Sequence, residues 1–215
     1  MSTAIYSIPF LLSGLAVTLT MALLVVVLSL LLGGTLGMAV TYGPRPLRWT
    51  VRLFSDVVRG IPILVLIFFV FYGLPATGIN LPNFAAATVA LVVYKTAQTV
   101  EYVRGAVQSI HDGQTEAAKS IGLTFEQRMA YVILPQAIRR FLPPWINGVA
   151  DAVKGTALVS LLGVTDLMHA VQQVVGRTYD PMPLYVLGAA IYFTINYGLS
   201  SLSRHVEGRY AYIRD

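Results

Sequence analysis

Charged and polar side chains interrupt two otherwise apolar stretches of the sequence. Lys95, Gln98 and Tyr102 follow i, i+3, i+7 spacing, so they share one face of a helix. Asp151 and Lys154 share a face of a second helix for the same reason. A charge among apolar residues is costly and normally faces a cavity or a charged partner. One interpretation is therefore a binding site for a small molecule that carries a carboxylate and an ammonium group.

In that interpretation Lys95 or Lys154 binds the carboxylate, and Glu101 or Asp151 binds the ammonium group. The competing interpretation is structural: Asp151 pairs with Lys154, and Glu101 pairs with Arg104. A cation and a carboxylate three residues apart on a helix can pair with each other without any ligand. The sequence leaves both interpretations open.

Other kinds of chemistry find no support in the residue pattern. Lys154-Gly155-Thr156 lacks the order of a phosphate-binding loop and the strand that precedes one. The histidines, His111, His169 and His205, are far apart, and the absence of cysteine excludes a thiolate site. Carboxylates are few, so no hydrolytic pair is indicated. The sequence predicts no cofactor or metal on this chain, no binding of ATP by the chain itself and no enzymatic activity.

The elements that must position these residues are membrane-spanning helices. Of the 215 residues, 56% are hydrophobic and 12% are charged, against about half and about a quarter in soluble domains. About 20 apolar residues cross a bilayer, and the uncharged first stretch lacks the basic region of a signal peptide. We predict an all-α integral membrane protein, a single transmembrane domain over residues 1–215. Its five predicted spans cover residues 11–41, 54–74, 84–110, 145–162 and 184–202.

Three details of the sequence lead to expectations about the spans and their connections. Gly33, Gly37 and Thr41 recur at four-residue intervals, which allows close approach of a helix either within the bundle or in a dimer. Pro62 is expected to be tolerated inside the second span. Residues 163–183 are expected to form a loop.

The basic residues predict the orientation of the chain in the membrane. Arg177 lies on one side, Lys95 and Lys154 lie within spans, and the remaining basic residues lie on the other side. Those residues are Arg45, Arg48, Arg52, Arg59, Arg104, Lys119, Arg128, Arg139, Arg140, Arg204, Arg209 and Arg214. Because cytoplasmic loops are enriched in Lys and Arg, we predict an external N terminus, a cytoplasmic C terminus and a cytoplasmic interval at 112–144. The net charge of +5 can suggest nucleic acid in a soluble protein, but here its placement matters more than its sum, and no nucleic-acid partner is predicted.

The interval 112–144 is polar, yet its residues are those of folded structure. Glu116-Ala117-Ala118 opens a segment that favours a helix, Gly122 interrupts it, and Pro143-Pro144 bounds the interval. The order of Glu116-Ala117-Ala118, Gly122, Val132 and Leu134-Pro135 resembles the EAA loop of permease subunits of ABC importers. In that family isoleucine usually stands where this chain has Val132.

Neighbouring motifs are similar to those of one subfamily of type I importers, the polar amino acid subfamily. The resemblance extends from the first span to Glu207. These motifs are Arg59-Gly60-Ile61-Pro62, Glu101-Tyr102-Val103-Arg104-Gly105 and Val132-Ile133-Leu134-Pro135-Gln136-Ala137-Ile138-Arg139-Arg140.

The resemblance implies that this loop couples the chain to a separate nucleotide-hydrolysing subunit. A coupling helix from Glu116 to Ile121, between the third and fourth spans, would enter a groove on that subunit. Small Ala117 and Ala118 would permit close contact, Gly122 would allow a sharp reversal, and Leu134-Pro135 would return the chain toward the membrane. The competing interpretation is an amphipathic helix lying on the membrane surface, which does not explain the spacing from Gly122 to Leu134-Pro135.

The same resemblance implies the function and the partners. The chain is expected to be the permease subunit of an ATP-driven importer of the bacterial inner membrane for a polar amino acid or a related amine-bearing compound. Expected partners are two ATPase subunits that bind ATP and Mg, a second permease chain, identical or related, and an extracytoplasmic substrate-binding protein that contacts the 163–183 region. The alternative is a stand-alone secondary transporter or channel, for which an internal repeat is expected and none is visible.

The chain departs from the subfamily at two places that look like cavity linings. It has Thr96-Ala97-Gln98 where relatives usually read Gly or Ser, Ala, Tyr, and Lys154-Gly155-Thr156-Ala157 where relatives often read Lys-Asp-Thr-Ser. Inherited substrate specificity therefore does not follow from the resemblance. The candidate cavity residues are Lys95, Gln98, Glu101, Tyr102, Asp151, Lys154 and Thr156.

Overall fold

The computed structural model describes residues 2–210 and the side chains of residues 7–208. Arg214 and the two chain termini, whose membrane sides the sequence predicts, lie outside the described residues. Every regular element within residues 2–210 is helical, so the predicted all-α class is confirmed. The elements are α1 (Ser2–Tyr42), α2 (Arg45–Gly60), α3 (Ile63–Ala76), α4 (Asn83–Gln108), α5 (Asp112–Ser120), α6 (Phe125–Arg128), a π-helical turn (Met129–Ile133), α7 (Leu134–Gly155), a 3-10 helix (Thr156–Leu162), α8 (Leu167–Thr178) and α9 (Pro181–Tyr210).

Two described helices are long and apolar enough to cross a membrane by themselves, Ser7–Tyr42 and Pro181–Gly208. The number rises to four if each of two bent pairs counts as one span. One pair is α2 with α3, and the other joins Phe125–Leu162 to α8. The five spans predicted from the sequence exceed these four by one, which is α4. The second half of α4 is charged.

The core of the bundle forms where α1 and α4 pack side by side. Met21 and Val25 of α1 are buried with Leu91 of α4, Ile67 of α3 and Val159 of the 3-10 helix. Burial of large aliphatic side chains from four elements in one cluster fixes their relative positions. The core therefore lies at the level of the apolar first half of α4.

Two glycines of α1 permit the close approach of α4. A Cβ atom added at Gly33 would lie 2.5 Å from Cβ of Thr99, and one added at Gly37 would lie 2.6 Å from Cβ of Val103. Both distances are far shorter than van der Waals contact. The glycine spacing in α1 is thus explained by packing within the bundle, the first of the two expectations.

Replacing Gly37 by valine is expected to destabilise the bundle. Valine would force α1 away from Val103, and overpacking of this kind costs about 1–3 kcal/mol. The midpoint of thermal unfolding of the purified protein should fall by several degrees. Gly34 is the matched control, because a Cβ added there meets no atom within 4 Å. Equal midpoints for Gly37→Val and Gly34→Val would contradict the α1–α4 packing.

The expectation that Pro62 lies inside a continuous second span is wrong. α2 ends at Gly60, α3 begins at Ile63, and the helices are bent by 104° at this break. Proline has no N–H to donate, and it disfavours helical backbone at the preceding residue. Ile61 accordingly has an extended conformation, with φ −92° and ψ 133°. The first part of the predicted span, from Phe54, belongs to a differently directed helix.

The expectation that residues 163–183 form a loop is also wrong, because α8 occupies much of this region. Asp166 caps α8, with its Oδ1 accepting from N–H of His169 at 2.9 Å. Leu167, Ala170, Val171 and Val174 are buried on one face of the helix, against Leu11 of α1 among others. This i, i+3, i+4, i+7 spacing is the signal in the sequence that predicts a helix.

Candidate functional site

The first candidate element is α5, which carries Glu116, Ala117 and Ala118. Nδ1 of His111 accepts from N–H of Gly113 at 3.0 Å and so caps the start of the helix. Glu116 and Ala117 are exposed, whereas Ala118 is buried against the rest of the chain. Of these three residues, α5 therefore presents Glu116 and Ala117 outward and uses Ala118 for internal packing.

The reversal after α5 is built around Gly122. This residue has φ +80°, in the left-handed region that glycine adopts readily. N–H of Leu123 donates to O of Ala118 at 3.1 Å, and N–H of Gly122 donates to O of Lys119 at 2.9 Å. These two bonds form a Schellman motif. Thr124 then starts α6 through a capping box with Gln127.

The return to the bundle passes through the π-helical turn and enters α7 at Leu134-Pro135. Met129 and Ile133 of the turn pack in a buried cluster with Val107 and Ile110 at the end of α4. Gln136 of α7 donates to Oε1 of Gln114 of α5 at 3.4 Å, and Arg140 donates to O of Ser109. α5 is thereby connected to the start of α7, which in turn is bound to the end of α4.

α7 also contains the two prolines expected to bound the polar interval. It runs from Leu134 to Gly155 and passes through Pro143 and Pro144, so the two prolines do not end the helix. Packing against α9 supports this part of the helix, where Oγ of Ser203 donates to O of Pro143 at 3.3 Å.

Three exposed apolar side chains surround the reversal, and the sequence analysis did not select them. Ile121 is 75% exposed, Tyr131 74% and Phe125 50%. Apolar residues inside a polar interval are the signal that could have identified them. We name α5 together with Ile121, Phe125 and Tyr131 the coupling surface, after the role that the resemblance implies; this chain covers little of these three side chains.

The second candidate element is a small cavity between α1, α4 and α7. Lys95 and Tyr102 of α4 line it together with Ser29, Trp145 and Gly148. Gly148 admits the Tyr102 ring, since an added Cβ would lie 3.1 Å from Cε2 of the tyrosine. Two of the candidate residues therefore reach the same cavity, and Ser29 and Trp145 are lining residues that the sequence analysis missed.

Lys95 is the buried cation of this cavity. Only 6% of the residue is exposed, and Nζ donates to Oε1 of Gln98 at 2.7 Å. Within the described part of the chain, no carboxylate comes within ion-pair distance of Nζ. The ammonium group thus has a neutral partner and retains capacity for an anionic one.

The remaining charged candidates pair with neighbouring side chains. NH2 of Arg104 lies 2.5 Å from Oε2 of Glu101, and NH1 of Arg59 in α2 lies 3.6 Å from the same oxygen. Nζ of Lys154 lies 2.8 Å from Oδ1 of Asp151, and both side chains are more than half exposed. Both structural pairs of the second interpretation are present, and neither Asp151 nor Lys154 lines the cavity.

Thr156 is fully buried where α7 changes into the 3-10 helix. Its Oγ1 donates to O of Val153 at 2.8 Å. The 3-10 helix is seven residues long, whereas such runs rarely exceed about four residues. Interrupted helices of this kind form binding sites in transporters.

A buried polar cluster lies just after the 3-10 helix. Asp166 and Thr18 are fully buried. The hydroxyl of Tyr192 in α9 donates to Oδ2 of Asp166 at 3.2 Å, and Oγ1 of Thr18 in α1 accepts from N–H of Leu167 at 3.0 Å. This cluster joins α1, α8 and α9, and nothing in the local sequence pattern predicts it.

Comparison with known proteins covers almost the whole chain. The profile of the family described as "Binding-protein-dependent transport system inner membrane component" matches residues 29–212. The chain is 35% identical over 204 residues to the "Probable glutamine ABC transporter permease protein GlnP" of Bacillus subtilis, covering 93% of each protein. It is 31% identical to the "Arginine transport system permease protein ArtQ" of Bacillus subtilis, covering 96% of this chain and 94% of ArtQ.

Solved structures give the same result for the fold. A crystal structure of an amino acid ABC transporter with histidines has a TM-score of 0.90 and 33% identity, covering 95% of this chain and 96% of that chain. The MetNI methionine ABC transporter in an inward-facing conformation has a TM-score of 0.73 at 21% identity, over 93% of this chain and 97% of that one. The second likeness concerns the fold alone.

Proposed function

The chain belongs to the family of binding-protein-dependent transport system inner membrane components, and we propose that it is the permease subunit of an ATP-driven importer for a polar amino acid or a related amine-bearing compound. The chain itself is non-catalytic. ATP and Mg are bound and used by two separate ATPase subunits. A second permease chain and an extracytoplasmic substrate-binding protein complete the complex.

The observation that carries this proposal is the coupling surface, built on α5 and the Gly122 reversal. Its exposed face joins a charged residue, Glu116, to the apolar side chains of Ile121 and Phe125. Exposed apolar residues rimmed by polar ones are typical of a protein interface. We assign Glu116, Ala117 and Gly122 to contact with an ATPase subunit, and Leu134-Pro135 to transmission into α7. Ala118, expected from the sequence to share that contact, is buried and instead holds α5 on the bundle.

The proposed topology has five spans in the bacterial cytoplasmic membrane. They are α1, α3, α4, α7 with its 3-10 extension, and α9. The distribution of basic residues supports an external N terminus and a cytoplasmic C terminus. In this arrangement α5 lies in the cytoplasm, and the region of α8 faces the substrate-binding protein.

The mechanism follows from the attachment of α5. ATP binding would bring the two ATPase subunits together and displace α5, which contacts α7 through Gln136, while Arg140 of α7 binds O of Ser109 at the end of α4. Movement of these helices would change the access of the cavity from one membrane side to the other. Such an element has two states, each favoured by a different ligand.

For the substrate, relatives named for glutamine and arginine support an amino acid. Lys95, with Gln98 and Tyr102 beside it, is suited to a substrate carboxylate. Thr156 and the 3-10 helix are candidates for the opposite wall. The remaining candidates for substrate binding are Glu101, Asp151 and Lys154. Each is now in an ion pair, which would have to open before the residue could bind the substrate.

Purification and reconstitution test the proposal directly. The tagged full chain, expressed with the genes that adjoin it, is expected to retain two ATPase subunits through detergent extraction. In proteoliposomes, uptake should require internal ATP and the external binding protein. Uptake that persists without ATP and follows an ion gradient would instead support the stand-alone transporter.

A further inference from the structure

We propose that α2 lies along the membrane surface and binds anionic phospholipid headgroups through its arginines. This inference does not depend on the proposed substrate or on the ATPase partners. α2 and α3 are bent by 104° at the break between them, so they do not form one straight span. α3 is apolar throughout, whereas α2 carries four arginines and an aspartate in 16 residues. α2 is therefore the helix that runs along the surface.

One face of α2 is fixed to the bundle. Val51, Ser55 and Val58, spaced i, i+4, i+7, are buried. Oγ of Ser55 donates to O of Ala97 in α4 at 3.0 Å. At the C-terminal end, Arg59 reaches Glu101 of α4. These contacts determine which sides of the helix remain free.

The side opposite the buried face is apolar and exposed. Trp49 is 67% exposed, Val57 51% and Leu53 47%. At about 100° per residue these three positions lie on one stripe, roughly opposite Val51. Tryptophan is enriched at the depth of the headgroups. The stripe is thus suited to the upper part of the acyl chains.

An arginine ridge separates the buried face from the apolar stripe. Arg45, Arg48 and Arg52 lie within about one sixth of the helix circumference. In the part of the chain that the structure describes, no carboxylate comes within ion-pair distance of any of the three. The guanidinium group matches phosphate in charge and in its planar arrangement of donors.

The charge and the position of α2 favour a lipid, rather than a protein, as its binding partner. An apolar stripe flanked by a basic ridge is the pattern of a helix in the membrane interface. The apolar exposure also continues into α3, where Phe69 is 73% and Val65 54% exposed. A groove on a protein would have to cover both helices across the 104° bend, whereas a lipid leaflet accommodates both directions.

Tryptophan fluorescence of the full chain, purified with the subunits that accompany it, tests the proposal. The sequence has two tryptophans, Trp49 and Trp145, and the accompanying subunits can contain others, so the signal of Trp49 is taken as the difference between the complex of the unchanged chain and that of Trp49→Phe. The protein is reconstituted into vesicles that contain equal fractions of brominated phosphatidylglycerol or brominated phosphatidylcholine. Bromine near the headgroup should quench Trp49, and the phosphatidylglycerol form should quench it more.

Removing the ridge should remove this preference. In Arg48→Gln with Arg52→Gln, the selectivity for phosphatidylglycerol at low salt is expected to fall by about 5-fold for each arginine. Raising the salt should lower it in the unchanged protein as well. Arg177→Gln with Arg204→Gln removes the same charge elsewhere and should retain the selectivity.

Two results would overturn the proposal. Equal quenching by the two lipids at low salt means that α2 does not recognise anionic headgroups. Absence of quenching by either lipid means that protein covers Trp49, whether a second permease chain or an ATPase subunit.

Discussion

A valine at position 122 is expected to abolish ATP-driven uptake while the protein remains in the membrane. Gly122 has φ +80°, and a Cβ added there meets no atom within 4 Å. The effect of valine is therefore conformational rather than steric. Left-handed backbone costs a residue with a side chain about 1–2 kcal/mol, and more for a β-branched one. The population in which α5 has its present direction should fall by at least about 10-fold.

The measurement is uptake by proteoliposomes together with ATP hydrolysis by the same preparation. Hydrolysis should continue, because the ATPase subunits are separate chains, while uptake is lost. Gly122→Asn should transport nearly normally, since asparagine tolerates left-handed backbone. Gly105→Ala adds a Cβ at a helical glycine that is equally free of neighbours and should also be normal. Normal uptake in Gly122→Val or in the bulkier Gly122→Trp would contradict the assignment of the coupling surface.

The coupling surface was predictable because local chemistry determines its shape. The Gly122 reversal, the Thr124 cap and the alanines of α5 depend on residues within about one turn of each other. Such short-range signals can be detected in a single sequence. The sequence shows that Tyr131 is an apolar residue in a polar interval, but how far it is exposed depends on which face of the π-helical turn the bundle covers.

The bend between α2 and α3 shows where local reasoning fails. In a membrane protein, neighbours can satisfy the carbonyl that Pro62 leaves free, so a proline is compatible with a continuous span or with a break. The proline permits the break, and contacts distant in sequence hold α2 in its direction: Oγ of Ser55 donates to O of Ala97, 42 positions away. The pair of Arg59 with Glu101 has the same origin.

The cavity was predictable in part for the same reason. Lys95 and Gln98 are three positions apart on one helix, so their hydrogen bond follows from helix geometry. Ser29 and Trp145 come from α1 and α7, and only the packed bundle brings them to Lys95. The sequence could not show which lysine is buried. Lys154 is also a lysine among apolar residues, so nothing local distinguishes it from Lys95.

Replacing Lys95 by methionine is expected to raise the KM for uptake by about 10- to 100-fold. A hydrogen bond between a charged group and its ligand contributes about 1.5–3 kcal/mol. Methionine retains the length and apolar part of the side chain but not the charge. If the ammonium group binds a substrate carboxylate, the loss should appear in KM, measured by initial rates of uptake over a range of substrate concentrations.

Lys154→Met separates this role from that of the other lysine. Lys154 is 58% exposed and paired with Asp151, and an exposed ion pair contributes under about 1 kcal/mol. Its KM should therefore change much less. If Lys95 is structural, Lys95→Met leaves Oε1 of Gln98 without its donor and lowers the unfolding temperature, but KM stays unchanged. A less stable protein with a normal KM would exclude Lys95 from the substrate site. The burial of Lys95 would then be explained by its hydrogen bond with Gln98 alone.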